Sequence, residues 1–253
     1  MGRKDDLKDI ALKHNEKMNR LYSCEIQKSI STTQVFGTDF ARDEITGKRA
    51  EFVLEKSYTQ ESVLKHANGK KLAVLNFASY RHAGGGFING AMAQEEALCH
   101  ASFLYNVLSS FPDYYEWNEA NYNMGLYMNR ALYSPGVYFF NDDDSKYVSA
   151  DVITCAAPNR SVMLKNGKFS EEQNESALKD RIRFIRDICD SSCVEVLIAG
   201  AFGCGVFAQR PEKVASLFVE LFSDTNVKHV VFAVPPDRNY DSFERVLNSI
   251  GLK

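Results

Sequence analysis

Hydrophobic positions recur along this chain with two different periods. Leu7, Ile10, Ala11, His14 and Met18 fall at three- and four-residue intervals, which predicts an amphipathic helix over 5–20 packed on the outside of a domain. Short strands are expected at 33–36 and 50–56, the second reading Ala50-Glu51-Phe52-Val53-Leu54-Glu55 with weak alternation. Ser57, with Gln60 three residues on, has the form of a helix cap, so a helix is expected from about 58 to Asn68-Gly69. Leu72-Ala73-Val74-Leu75-Asn76-Phe77 is the short, nearly unbroken apolar run of a strand covered on both faces. Further strand-like runs at Val137–Phe140, Val152–Cys155, Val194–Ala199 and His229–Val234 alternate with helical stretches near 170–189 and 211–223. Pro211 suits a first helical turn, and Pro235-Pro236 closes the last strand before a helix around 240–249. The pattern is that of an α/β domain with a mixed sheet.

Composition narrows this picture. A length of 253 residues fits one domain, divided here as an N-terminal extension over 1–48 and a main domain over 49–253. No apolar run approaches the roughly 20 residues that span a bilayer, and 45% apolar with 25% charged residues describes a globular protein. The start, Met1-Gly2-Arg3-Lys4-Asp5-Asp6, has no apolar signal region, and Asp6 stands where a myristoylation signal needs Ser or Thr. An intracellular, cytoplasmic or nuclear, monomer is the expectation. Cys24, Cys99, Cys155, Cys189, Cys193 and Cys204 form no Cys-x-x-Cys pair and the histidines show no matching spacing, so neither a metal site, a disulfide framework nor a metal cofactor is expected. A net charge of −3 argues against a broad, specific nucleic-acid surface. Lys179, Arg181, Arg183 and Arg186 read as a solvated helix face, and Asp142-Asp143-Asp144 as a solvated hairpin loop.

Chemistry concentrates after the buried strand, where His82-Ala83-Gly84-Gly85-Gly86-Phe87-Ile88-Asn89-Gly90 leads to Gln94-Glu95-Glu96 at a helix start. Consecutive glycines lose much backbone entropy on folding, so a triplet at a strand end implies positive φ angles or a ligand pressed on the main chain; a flexible turn is the bland alternative. Free amides there suit phosphate or ribose. A helix start would tend to keep Glu95 and Glu96 ionised, and adjacent helical residues diverge by about 100°, so one acid at most should face a reacting bond. A carboxyl beside such a cradle is what protonation of a glycosidic oxygen requires, although helix capping alone could explain both acids. His82 and His100 flank them and read as structural.

A second cluster, Gly200-Ala201-Phe202-Gly203-Cys204-Gly205-Val206-Phe207, follows another strand. It matches neither Gly-x-Gly-x-x-Gly nor a Gly-Lys-Ser/Thr ending, which disfavours dinucleotide reductases and ATPases. Its amides could form a nest for a diphosphate, or the loop could be a structural turn. Cys204 lacks a recognisable base partner and reads as a small residue in a tight turn.

Val74-Leu75-Asn76-Phe77-Ala78-Ser79, Gly84-Gly85-Gly86 and, seven residues on, Gln94-Glu95-Glu96 resemble the signature of bacterial-type poly(ADP-ribose) glycohydrolases. The likeness continues through Thr154-Cys155-Ala156-Ala157-Pro158-Asn159, the loop Gly200–Phe207 and Val231-Phe232-Ala233-Val234, covering 50 to 245. It implies a macrodomain-like mixed sheet between helices, with an N-terminal helical extension and ADP-ribose lying across the strand ends. It further implies that Glu96 protonates the departing ribose oxygen, that Glu95 holds ribose hydroxyls and that Gln94 supports them. Ser79, Gly84, Gly85 and Gly86 would border ribose and phosphates. Gly203, Cys204, Gly205 and Val206 would hold the diphosphate, and Phe207 would set the terminal ribose. No metal is implied, and cleavage would proceed from chain ends. Ala83 departs from the family's proline, and Ser57-Tyr58-Thr59 lacks the acid expected near adenine. Phe243 is then an aromatic candidate for adenine, or a core residue. The substrate would be poly(ADP-ribose) or ADP-ribosylated protein and the product ADP-ribose. An ADP-ribose reader module and a hydrolase of single protein-linked units are the alternatives, and two acids beside an anionic ligand favour an enzyme.

Overall fold

The structure is a computed structural model that describes residues 2–251 apart from 142 and 144. Two N-terminal helices, α1 (Arg3–Leu21) and α2 (Ser23–Thr32), precede strands β1 (Gln34–Phe36) and β2 (Glu51–Glu55), helix α3 (Thr59–His66) and strand β3 (Leu72–Phe77). Three short helices follow, α4 (Gln94–His100), α5 (Leu104–Leu108) and α6 (Pro112–Ala120), then the pair β4 (Ala131–Phe140) and β5 (Tyr147–Cys155). The chain continues through α7 (Arg160–Asn166), α8 (Glu171–Ser191), β6 (Val196–Ala199), α9 (Pro211–Leu221), β7 (His229–Ala233) and α10 (Arg238–Ser249).

One mixed sheet runs in the order β1-β4-β5-β3-β6-β7-β2. β3 sits at its centre, parallel to β5 on one side and β6 on the other. β1 and β4 make the antiparallel edge, and β2 lies parallel to β7 at the opposite edge. Strand side chains alternate between faces, so Leu72 and Val74 of β3 enter one core with residues of α1 to α6, while Ala73 and Leu75 enter the other with α8, α9 and α10. Each fully buried Leu, Val or Phe there contributes about 1.5–3 kcal/mol relative to exposure. Both cores therefore press on the same central strand and fix where it ends.

Several boundaries differ from the sequence reading for local reasons. α3 starts one residue late because Tyr58 is the cap, its amide donating to Glu61 at 2.9 Å, while the Ser57 hydroxyl pairs with Ser62 at 2.6 Å. Arg181 is not on a solvated face: it is 1% exposed, donating to Asn129 Oδ1 at 2.7 Å and to the Ala156 carbonyl just past β5. Lys179 and Arg183 do stay outside, paired with Glu220 and Asp180. Of the acidic run, Asp142 and Asp144 lie outside the described residues, and Asp143 accepts from the Ser145 amide at 3.0 Å. Among the described residues no helix is long and apolar enough to cross a membrane.

Residues 2–48 are woven into both layers. α1 lies on the turn Phe87–Asn89, with the Lys4 carbonyl so near Gly90 that a Cβ there would come within 2.1 Å of it. His14 meets the Ser102 carbonyl at 2.8 Å, and Asn106 donates to the Asn15 carbonyl at 3.1 Å. On the opposite layer Arg42 pairs with Asp187, Asp190 and Asp224.

Candidate active site

The segment between β3 and α4 is built around two carboxyls. Gln94 opens α4 and clamps it to the strand, accepting from the Phe77 amide and donating to the Leu75 carbonyl, each at 2.9 Å. That clamp places Glu95 and Glu96 over the end of β3. Glu95 accepts from the Ser79 amide at 2.7 Å and from Asn76 Nδ2 at 3.1 Å. Glu96 accepts from the Gly86 amide at 2.7 Å and, reaching back to the N-cap residue of its own helix, from the Ala93 amide at 2.9 Å.

The glycine triplet is needed for these carboxyls to approach. Gly84 and Gly85 adopt φ of +63° and +60°, a region that L side chains rarely enter. A Cβ on Gly85 would lie 2.5 Å from Glu96 Oε1 and 3.0 Å from Glu95 Oε2. A Cβ on Gly84 would strike Tyr105 at 2.7 Å, and one on Gly86 would meet Ala91 at 2.6 Å. Both carboxyls thus converge on one glycine, although their Cα–Cβ bonds diverge. Two further rotatable bonds in each glutamate side chain let the carboxyls meet there.

The expectation that the helix start keeps both acids ionised fails for Glu95. It is 3% exposed on a seven-residue helix, and burial pushes its carboxyl up to about 8 against the pull of the Ser79 amide and Asn76, with the charge of Glu96 pushing the same way. A helix terminus contributes typically 0.3–1 kcal/mol, too little to offset that desolvation. A carboxyl whose folded pKa stands above its unfolded value of 4.5 contributes stability in full below that value and loses it as pH rises through about 8. Glu95→Gln is therefore expected to raise the melting temperature, relative to wild type, more at about pH 9 than at about pH 5. Scanning calorimetry at both values checks this, and equal shifts would refute it.

The second loop leaves the C-terminal end of β6, the parallel neighbour of β3, so the two glycine clusters share one rim of the sheet. Its conformational demand falls on Gly203, at φ +74° with a would-be Cβ 2.7 Å from that of Ala157, and not on Gly205, where a Cβ meets open space. Gln209 secures the loop base: its amide donates to the Gly203 carbonyl at 3.0 Å and its side chain to the Pro158 carbonyl at 2.8 Å. Among the described residues the amides of Gly205, Val206 and Phe207 make no backbone hydrogen bond, which leaves successive donors free at the loop tip.

Both loops line one cleft of about 970 Å³, the size of a small-molecule site. It gathers Ser79, Gly85, Gly86, Gln94, Glu95, Glu96, Gly203, Gly205, Val206 and Phe207. Gly84 lies behind it against Tyr105 and Cys99. Cys204 faces a separate cavity of about 450 Å³, and burial pushes its thiol up to about 12, so it is no nucleophile. Phe243 must be corrected: it is fully buried against Phe232, at 5.0 Å between ring centres, and cannot stack on adenine. His100 is half-buried with its ring against Phe87, whereas His82 is exposed on the cleft wall. Sequence reading missed Asn76, Gln209 and the wall made by Tyr105, Leu108 and Tyr115. Asn76 did carry a signal, being polar inside a buried strand.

A family model described as the catalytic domain of microbial-type PARG matches residues 2–142, a span that holds the glycine triplet and both acids. The chain belongs to this family. PARG stands for poly(ADP-ribose) glycohydrolase, which makes the chain a hydrolase of the glycosidase class. Solved PARG structures extend the likeness past residue 142 to the second loop. That of Thermomonospora curvata is 27% identical, with 96% of this chain and 99% of that chain covered and a TM-score of 0.85. The same enzyme bound to the inhibitor ADP-HPD gives 27% identity over 95% and 99% of the two chains at 0.83. Deinococcus radiodurans PARG in complex with ADP-ribose gives 30% identity, 89% and 98% coverage, and 0.81. No curated protein sequence matches.

Proposed function

We propose that this chain hydrolyses the ribose–ribose O-glycosidic bonds of poly(ADP-ribose) from chain ends and releases ADP-ribose, with Glu96 as the general acid. The observation that carries this is the convergence of two buried carboxyls on Gly85, in the same cleft as the unbonded amides of the second loop. Those amides hold the diphosphate, and the terminal ribose lies over Gly85 and Gly86. Glu96 gives a proton to the oxygen joining that ribose to the rest of the polymer. The C1″–O bond then breaks, leaving an oxocarbenium-like sugar to which water adds, and the water's proton returns to the carboxyl. Glu95 holds the ribose hydroxyls. Burial keeps a proton on Glu95 at neutral pH, so its carboxyl meets the terminal ribose hydroxyls uncharged.

The test is a product assay on poly(ADP-ribose) beside mono-ADP-ribosylated protein. ADP-ribose released from the polymer, with the protein-linked unit left intact, supports the reading. Binding without turnover, or release from the protein alone, overturns it. Among the described residues no group of three His, Cys, Asp or Glu is placed to hold a metal ion, and protonation by a carboxyl needs no Lewis acid. Cleavage is accordingly expected to persist in EDTA; abolition reversed by a divalent ion would contradict this.

A further inference from the structure

The cleft is not used up by the two glycine loops and the acids. Its lining also includes Tyr105, Leu108, Ser109 and Pro112, at the corner between α5 and α6, together with Arg81 and His82. Arg81 is the one arginine or lysine among the cleft's described lining residues and, like His82, is exposed, while the loop assigned to the diphosphate presents backbone amides and no cation. Arg81 is held over the Tyr122 ring at 5.2 Å and paired with Glu119 at 3.2 Å, an exposed contact that a phosphate can replace. The half-buried Tyr105 ring and the exposed Pro112 in the same lining offer an apolar surface suited to a flat base.

We propose that this corner is a subsite for the leaving unit, binding the adenosine diphosphate portion that follows the scissile bond: base against Tyr105 and Pro112, phosphate toward Arg81 and His82. This rests on the reading of the site as polymer-cleaving. With the terminal unit held by the second loop and its ribose at Glu96, the atoms beyond the broken bond are the adenosine of the preceding unit, and they must lie past the acids. A leaving group held there gains rate through orientation, and it makes the site selective for a polymer over other ADP-ribose conjugates.

The experiment uses Ser109→Trp, which fills the corner from an exposed position at the end of α5, and Arg81→Ala. Both are assayed on poly(ADP-ribose) and on ADP-ribose bearing a small aryl leaving group at C1″, with free ADP-ribose affinity measured by calorimetry. Expected is a loss of kcat/KM on the polymer of roughly tenfold, the usual consequence of removing one charged contact, with aryl cleavage and ADP-ribose affinity within about twofold of wild type. An equal loss on both substrates, a parallel loss of ADP-ribose affinity, or undiminished polymer cleavage by both variants overturns the subsite. A wild-type chain that cleaves no polymer would instead refute the proposed function.

Discussion

Glu96→Gln is expected to lower single-turnover cleavage of poly(ADP-ribose) by roughly 10² to 10⁴, the usual contribution of a general acid. The amide keeps the size of the side chain, and its oxygen can still accept from one of the two backbone amides, Gly86 or Ala93, that Glu96 now engages. What disappears is the transferable proton. ADP-ribose should still bind, because the free amides of the second loop are untouched by the substitution. Calorimetry and rapid quench on the same preparation separate the two effects. Near wild-type cleavage would remove Glu96 from the mechanism, and equal losses in binding and rate would make it a binding residue.

Gly85→Ala should be almost as damaging, although it adds one methyl group. The new Cβ would stand 2.5 Å from Glu96 Oε1 at a backbone φ of +60°, so either the loop or both carboxyls must shift. Displacement of a reacting group by about 1 Å can cost on the order of 10² in rate. The melting temperature should fall too, since alanine strains the left-handed backbone. Gly136→Ala is the useful comparison: it is also left-handed, at φ +71°, but its Cβ would meet nothing within 4 Å. Equal loss of activity in both variants would show that strain alone, and not contact with the acids, accounts for the effect.

The sequence carried the sheet and one side of the cleft well. The runs of β3, β5, β6 and β7 are buried on both faces, so an unbroken apolar stretch marks them, and glycines mark the two loops because their backbones are crowded or left-handed. The opposite wall was not legible. α5 has five residues and α6 nine, too short to show a helical period, and buried Tyr114 and Tyr115 are adjacent instead of spaced. Their position depends on tertiary packing against α4 and β4, which no local pattern encodes. The buried Arg181 was misread for a related reason, since a charge at helical spacing looks solvated until its partners, Asn129 and the Ala156 carbonyl, are brought to it from elsewhere in the chain. The titration of Glu95 followed the same logic: sequence placed it at a helix start, while its burial follows from the fold.

The tip of the second loop has a consequence for how the ligand is weighed against solvent. Val206 stands 83% exposed there, beside amides with no backbone partner. Neutral dipoles release no counterions when they receive a phosphate, and an apolar side chain covered by a sugar sheds its hydration water. Uptake of a single ADP-ribose therefore depends little on ionic strength and carries a negative change in heat capacity. Any strong salt dependence of the reaction enters through the exposed cation Arg81 and so belongs to the polymer, not to its terminal unit.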